Sequence, residues 1–145
     1  MQSSPLHLEN YFFTRIHLDA CEDPACQKAE GSGQLKTQTR CQPHNNEPLR
    51  WMVTLNLSID QETEAPCPPY TVEFEVVGFF KVDESFPEEK RASLVKANAP
   101  AVLFGAVREM LTTLTLRGPY PPINLNTVTF IDDIKSPSVS VPQKH

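Results

Sequence analysis

Residues 98–130 read NAPAVLFGAVREMLTTLTLRGPYPPINLNTVTF, and no other stretch says more about the architecture of this chain. Its first half predicts an amphipathic helix, because apolar residues recur at spacings of three and four and so share one face. Asn98 is the predicted N-cap, Pro100 lies in the first turn, and Gly118 with Pro119 is the predicted stop. The predicted apolar face consists of Leu103, Phe104, Val107, Met110, Leu111 and Leu114.

A proline-rich connector, residues 118–125, follows the helix. Proline fixes φ and lacks an N–H group, so this segment neither continues a helix nor pairs as a central strand. We expect it to hold an extended shape at low entropic cost and to display Tyr120 and Ile123 on its sides.

Extended segments precede the helix. Alternating apolar residues predict strands at 6–20, 50–60 and 70–82, and a weaker alternation predicts a short edge strand at 35–41. The last two strands are close in sequence, which predicts antiparallel neighbours. Gly78 marks a bulge or a close approach, and residues 88–97 predict a short helical or turn segment. The chain is thus predicted to be α+β: a four-stranded antiparallel sheet with a long helix on one face over residues 1–135, and a disordered tail at 136–145.

The strands carry more apolar side chains than one sheet and one helix can cover. Tyr11 and Phe13 fall on the more polar face of the first strand, and Val77 and Phe79 do so in the last. Such an excess indicates an exposed apolar surface, which an oligomer or a binding groove explains. The predicted buried face of the first strand consists of Leu6, Leu8, Phe12, Ile16, Leu18 and Ala20.

The composition argues against several classes of function. The chain has a formal net charge of −5 and no basic stripe, which argues against nucleic-acid binding. Residues 1–20 lack the features of a signal peptide, so we expect a cytoplasmic protein. No phosphate-binding loop, metalloprotease pair or nucleophile elbow is found in the sequence, and we expect neither enzymatic activity nor a cofactor.

The four cysteines leave two interpretations open. Cys21 and Cys26 have a spacing that some zinc sites use, but no second pair of ligands follows them. Reduced thiols are the other interpretation and the one expected of a cytoplasmic protein, so no metal site is predicted.

The helix, its stop and the connector resemble the closing section of the SecB family of protein-export chaperones. In that family a helix that opens near Asn or Pro ends in Arg-Gly and leads through an aromatic–proline segment into Leu-Asn-Leu and a Val-x-Phe. The resemblance covers nearly the whole chain, including the paired strands that end in Val77-Gly78-Phe79-Phe80. The matching residues of the closing section are Asn98, Pro100, Leu103, Phe104, Arg108, Glu109, Arg117, Gly118, Pro121, Asn124, Leu125, Val128 and Phe130.

The resemblance implies an ATP-independent holdase, a homotetramer built as a dimer of dimers. Such a protein binds unfolded secretory preproteins in apolar grooves and passes them to the SecA motor, without a cofactor, nucleic acid or membrane insertion. Core packing is the alternative role of Trp51 and Phe104 among the candidate groove residues. The candidate peptide-binding residues are Trp51, Phe79, Phe104, Tyr120, Pro121 and Ile123.

The same resemblance implies a face that docks SecA. By position, the family's docking acids fall on Asp19 and Glu73, and Glu75 shares the face of Glu73. Arg15 stands where another acid is expected, and prolines in the tail disfavour the family's C-terminal helix. The chain therefore resembles a divergent member, and a SecB-like chaperone dedicated to the antitoxin of a toxin–antitoxin system is the alternative.

Overall fold

The computed structural model describes residues 3–22, 33–61 and 68–126. The predicted tail at 136–145, together with Val128 and Phe130, lies outside the described residues. The α+β class is confirmed, because four strands precede one long helix. The elements are β1 (Leu6–Ala20), β2 (Gly33–Pro43), β3 (Arg50–Gln61), β4 (Tyr70–Val82) and α1 (Glu88–Thr115).

The strands form one antiparallel sheet in the order β1-β4-β3-β2. The adjacency of β3 and β4 was predicted from their closeness in sequence and is confirmed. The pairing of β1 with β4 joins the two ends of the strand region and makes β1 and β2 the edges of the sheet. The helix packs mainly on the two central strands.

Two bulges interrupt the pairing of β1 with β4, one at Glu9 and one at Thr14. Each bulge adds one residue to β1 and so reverses the alternation of its side chains. Between the bulges, Tyr11 and Phe13 lie on the helix side of the sheet and Phe12 lies on the other side. The predicted faces of these three aromatic residues were therefore wrong. The prediction assumed that side chains alternate without interruption along the whole of β1, and the two bulges interrupt that alternation.

The helix begins at Glu88, ten residues before the predicted N-cap, and Pro100 lies inside it. Asn98 does not cap the helix; its Nδ2 atom donates a 2.9 Å hydrogen bond to the Leu94 carbonyl. An interior proline costs about 3 kcal/mol, but apolar burial continues on both sides of Pro100 and offsets that cost. Six of the eight buried positions recur at every fourth residue, at Val95, Ala99, Leu103, Val107, Leu111 and Thr115, and Pro100 and Phe104 lie beside this row.

Gly78 lets the helix approach the sheet closely. The sequence predicted either a bulge or a close approach at this glycine, and the structure shows the close approach. A Cβ atom at this position would lie 2.8 Å from Leu103 Cδ2 and 2.8 Å from Phe80 Cε1. Both neighbours are buried, so the contact between β4 and α1 has no room for a side chain here. The core lies along this seam and leaves the outer strands less covered.

Candidate functional site

The side of the sheet that lacks α1, here called the helix-free face, carries a cluster of apolar side chains. Met52 pairs with Phe79, and Phe12 pairs with Val77. The rings of Phe12 and Phe79 have centroids 5.8 Å apart, and these residues are 44% and 37% exposed. We call these four residues the apolar patch, and nothing in the described part of the chain covers it fully.

A hollow of about 650 Å³ lies at one end of the apolar patch. Met52 and Phe79 contribute apolar surface to it, and the β2–β3 hairpin contributes its polar side. The hairpin is ordered by His44, whose Nδ1 accepts hydrogen bonds of 3.1 Å from the backbone N–H groups of Asn46 and Glu47. The hollow is lined by Glu9, Gln42, Pro43, His44, Asn45, Asn46, Glu47, Arg50, Trp51, Met52 and Phe79.

Arg50 joins the hairpin to β1 at this hollow. Its Nη1 lies 2.5 Å from Glu47 Oε2, and its Nε lies 3.1 Å from Glu9 Oε1. The pKa of Arg50 is raised by the hydrogen bond from its guanidinium to Glu47, then by the charges of Glu47 and Glu9. Two carboxylates against one guanidinium leave the rim of the hollow with a net negative charge.

The three predicted docking acids lie on the helix-free face, beyond the apolar patch. Where β1 pairs with β4, Glu75 lies opposite Arg15 and Glu73 lies opposite His17. Asp19 lies two residues beyond His17 on β1, on the same face of the sheet. The Oδ2 atom of Asp19 is 2.7 Å from His17 Nε2. The register of β1 against β4 thus places Asp19, Glu73 and Glu75 on one face of the sheet.

Arg15 contacts this acidic row directly. Its Nη1 atom lies 2.5 Å from Glu73 Oε1, at a site where both side chains are half exposed. Thr14, the bulged residue next to it, donates a 2.6 Å hydrogen bond to Glu75 Oε1. An exposed pair of this kind contributes only about 0–1 kcal/mol to stability, but it removes one negative charge from the face.

Within the described part of the chain, a second apolar surface is exposed on the helix side of β1. Leu8, Tyr11 and Ile16 face the same way as the core residues of β4, yet they are 39%, 44% and 49% exposed. We call these residues the β1 strip. Phe13 and Leu18, on the same side of β1, are partly buried against the core, so the core covers only part of this strand.

The connector folds back on the end of α1. The N–H of Ile123 donates to Thr115 Oγ1 at 2.9 Å, and Thr112 Oγ1 donates to the Ile123 carbonyl at 2.9 Å. The ring of Tyr120 packs edge-on against Tyr70 at 5.6 Å, and its hydroxyl donates to the Cys21 carbonyl. Both side chains that the sequence placed on the sides of the connector are therefore partly buried.

Trp51 and Phe104 are core residues, 9% and 2% exposed, which agrees with the alternative role given to them. The six candidate peptide-binding residues do not meet at one point. Trp51 and Tyr120 lie near opposite ends of the sheet, since their neighbours Phe80 and Tyr70 are ten residues apart on β4, about 33 Å. Phe79 lies on the opposite face from Trp51, and Pro121 is exposed on the connector.

Phe12 and Met52 were missed by the sequence reasoning. Met52 stands at a polar-face position of β3 and was a detectable exception to the alternation. Phe12 left no such signal, because only the bulges bring it to the helix-free face.

Cys21 is disulfide-bonded, so the expectation of a reduced thiol was wrong for this residue. The spacing of cysteines in sequence does not report which thiols the fold brings together. Cys26, the second cysteine of the pair whose spacing some zinc sites use, lies outside the described residues. Within residues 3–22, 33–61 and 68–126, no three His, Cys, Asp or Glu side chains cluster as metal ligands would.

The described residues contain no helix that is both long enough and apolar enough to cross a membrane.

The fold and its open apolar surfaces define a SecB-like sheet-and-helix protein. Residues 1–133 match the family described as preprotein translocase subunit SecB. The chain therefore belongs to the SecB family.

Several individual proteins are similar to this chain. The protein-export protein SecB of Jannaschia sp. is 30% identical over 82 residues, which cover 54% of this chain and 47% of that protein. An uncharacterised protein of Methanocaldococcus jannaschii is 28% identical over 121 residues, 83% of this chain and 76% of the relative. The chain spans about half the length of the curated SecB relatives from Jannaschia and Anaplasma marginale.

Among solved structures, the SecB-like chaperone Rv1957 of Mycobacterium tuberculosis, in complex with a ChAD peptide from the Rv1956 HigA1 antitoxin, has a similar fold. The TM-score is 0.64 at 17% identity, over 86% of this chain and 91% of that chain.

Proposed function

We propose that this protein is an ATP-independent, non-enzymatic chaperone that binds non-native polypeptide segments. The observation that carries the proposal is the apolar patch, in which Phe12 and Phe79 are each more than a third exposed on a single chain. A patch of this kind on a small protein marks an interaction surface. Membership of the SecB family and the likeness to a SecB-like chaperone support the same function.

Phe79 is the first of the proposed client contacts. It joins the apolar patch to the hollow, whose rim is acidic and favours client segments that combine apolar and basic residues. The connector, with Tyr120, Pro121 and Ile123, is a second proposed contact, and Trp51 and Phe104 contribute through the core that supports both.

The proposed clients are secretory preproteins, kept competent for export in the cytoplasm and passed to the Sec translocase. Relatives named protein-export protein SecB support this role. Asp19, Glu73 and Glu75 form the proposed docking face for SecA, because three carboxylates on one exposed face attract a basic partner. The proposed assembly is a homotetramer built as a dimer of dimers, with the β1 strip as a subunit contact.

A dedicated antitoxin chaperone is the second candidate. The ion pair between Arg15 and Glu73 favours it, since this pair reduces the negative charge of the face proposed to dock SecA. The similar chaperone solved with an antitoxin peptide points the same way.

Two experiments test these proposals. Aggregation of a chemically unfolded client is followed by light scattering without nucleotide, and we expect the protein to suppress it. Failure with every client tried would contradict the chaperone function. Capture of bound polypeptides from the native cell then separates the candidates: many secretory preproteins support export, and one dominant antitoxin supports the alternative.

A further inference from the structure

The β2–β3 hairpin closes on itself through His44. The His44 N–H donates to the Arg50 carbonyl at 2.9 Å, and the Arg50 N–H donates to the Glu47 carbonyl at 3.0 Å. Inside this loop, the ring nitrogen Nδ1 of His44 accepts two hydrogen bonds of 3.1 Å, from the N–H groups of Asn46 and Glu47. One imidazole therefore satisfies two backbone donors of the turn that bounds the hollow.

Only the neutral form of the His44 ring can make these two bonds. A neutral imidazole has one nitrogen that donates and one that accepts, and protonation turns both nitrogens into donors. Because Nδ1 accepts in the hairpin, the proton of the neutral ring lies on Nε2. The side chain is exposed, so its protonation follows the solvent, and histidine changes charge between about pH 5 and 8. The two bonds are therefore present above this range and are lost as the pH falls through it.

The charged groups around His44 offer different partners to its protonated ring. Glu47 in the hairpin and Glu9 on β1 line the same hollow and attract a cation, whereas Arg50 on β3 repels one. Lys81 on β4 lies opposite Arg50 and adds to that repulsion. None of the residues of α1 lines the hollow. A protonated ring therefore turns from the backbone donors toward the two carboxylates, where it competes with Arg50.

Protonation also neutralises the lining of the hollow. With a neutral ring, the lining holds two carboxylates, Glu9 and Glu47, and one guanidinium, Arg50. A cationic His44 balances these charges, so the hollow no longer attracts a basic segment. Loss of the ordered turn and loss of the negative charge thus act in the same direction.

We propose that His44 is a proton-sensitive positioning residue of the hollow. The neutral ring holds the hairpin in the form that binds apolar and basic client segments. The protonated ring releases the hairpin and weakens that binding. The inference rests on the proposed function in one respect, that the hollow is a client contact.

The test compares wild type with two variants of His44. In His44→Asn, the side-chain oxygen can accept a hydrogen bond from the backbone two residues on and does not titrate, so the turn should keep its order at every pH. His44→Ala removes the acceptor and should loosen the turn at every pH. His17→Asn is the control, because His17 pairs with Glu73, six residues along β4 from Phe79 and the hollow.

NMR between about pH 8 and pH 5 reports the hairpin without any client. We expect the Asn46 and Glu47 amide signals of wild type to shift with the same midpoint as the His44 ring. The ring nitrogens at high pH should show the tautomer with its proton on Nε2. In His44→Asn the two amide signals should stay in place. Amides that do not follow the ring, or a neutral ring with its proton on Nδ1, would overturn the positioning role.

Fluorescence anisotropy measures binding of a labelled peptide of Leu and Arg, blocked at both ends so that it does not titrate. The affinity of wild type should fall about fivefold between about pH 8 and pH 5. His44→Asn should hold its affinity, His44→Ala should bind weakly at both pH values, and His17→Asn should behave as wild type. An equal fall in wild type and His44→Asn would assign the pH dependence to other groups and overturn the proposal.

Aggregation suppression, measured in parallel, keeps this proposal apart from the proposed function. A wild type that suppresses aggregation but binds the peptide equally at both pH values contradicts only the role of His44. If the amides follow the His44 ring but wild type neither binds the peptide nor suppresses aggregation, the chaperone function fails and the response of the hairpin to pH stands.

Discussion

Two glycines in this chain have opposite consequences for stability. Gly78→Ala forces a methyl group to within 2.8 Å of Leu103 and Phe80 at the buried seam between β4 and α1. Overpacking of this kind costs about 1–3 kcal/mol. Gly105→Ala adds a methyl group that meets nothing within 4 Å and removes the entropic cost of a glycine inside a helix, about 0.5–1 kcal/mol. Urea unfolding should show Gly78→Ala less stable and Gly105→Ala more stable than wild type. A stable Gly78→Ala variant would show that the helix can move away from the sheet.

Arg15 controls the charge of the proposed docking face. Its Nη1 atom lies 2.5 Å from Glu73 Oε1. Arg15→Asp frees Glu73 and adds a carboxylate, so SecA should associate faster at low salt, and the gain should fade as salt is added. Stopped-flow mixing measures the rate.

Arg117→Asp is the control for this prediction, because it changes the net charge equally at an exposed position beyond α1. Equal acceleration by both variants would assign the effect to net charge. If neither wild type nor Arg15→Asp binds SecA, the antitoxin alternative becomes the better proposal.

The connector depends on two threonines at the end of α1. Thr115 is fully buried, donates to the Leu111 carbonyl at 2.7 Å and accepts from the Ile123 N–H. Thr115→Val keeps the shape but removes both bonds, which should cost about 1–3 kcal/mol. Hydrogen exchange at the Ile123 amide should accelerate. Thr113→Val, at an exposed position in the same turn, should leave that exchange unchanged; equal acceleration in both would mean that Thr115 does not hold the connector.

The four strands and the core of the helix could be predicted because each repeats a local period. The extent of α1 could not, because Asn98 and Pro100 form a local start signal that the packing of Val95 and Ala99 overrides. The faces of Tyr11 and Phe12 could not, because a bulge changes the period by one residue and is fixed by pairing with a distant strand. Asp19 and Glu73 were proposed as docking acids from the positions that such acids occupy in the SecB family. The contact of Arg15 with Glu73 could not be predicted, because it depends on the register of β1 against β4.

Among the residues that the structure describes, two exposed apolar surfaces lie on opposite sides of one sheet, and they predict separable functions. Ile16 belongs to the β1 strip and Phe79 to the apolar patch, and both are more than a third exposed on the single chain. Asp at either exposed position should leave the fold intact, because neither side chain is buried in the core. If the β1 strip is a subunit contact, Ile16→Asp buries a charge there and should lower the mass measured by light scattering.

Phe79→Asp should leave the mass unchanged and weaken suppression of client aggregation, since it places a charge in the proposed client surface. Each variant is therefore the control for the other. A wild type that is monomeric at micromolar concentration would contradict the tetramer before either variant is made. Loss of client binding in Ile16→Asp alone would instead assign the client to the helix side of β1, because Phe79 and the hollow lie on the opposite face.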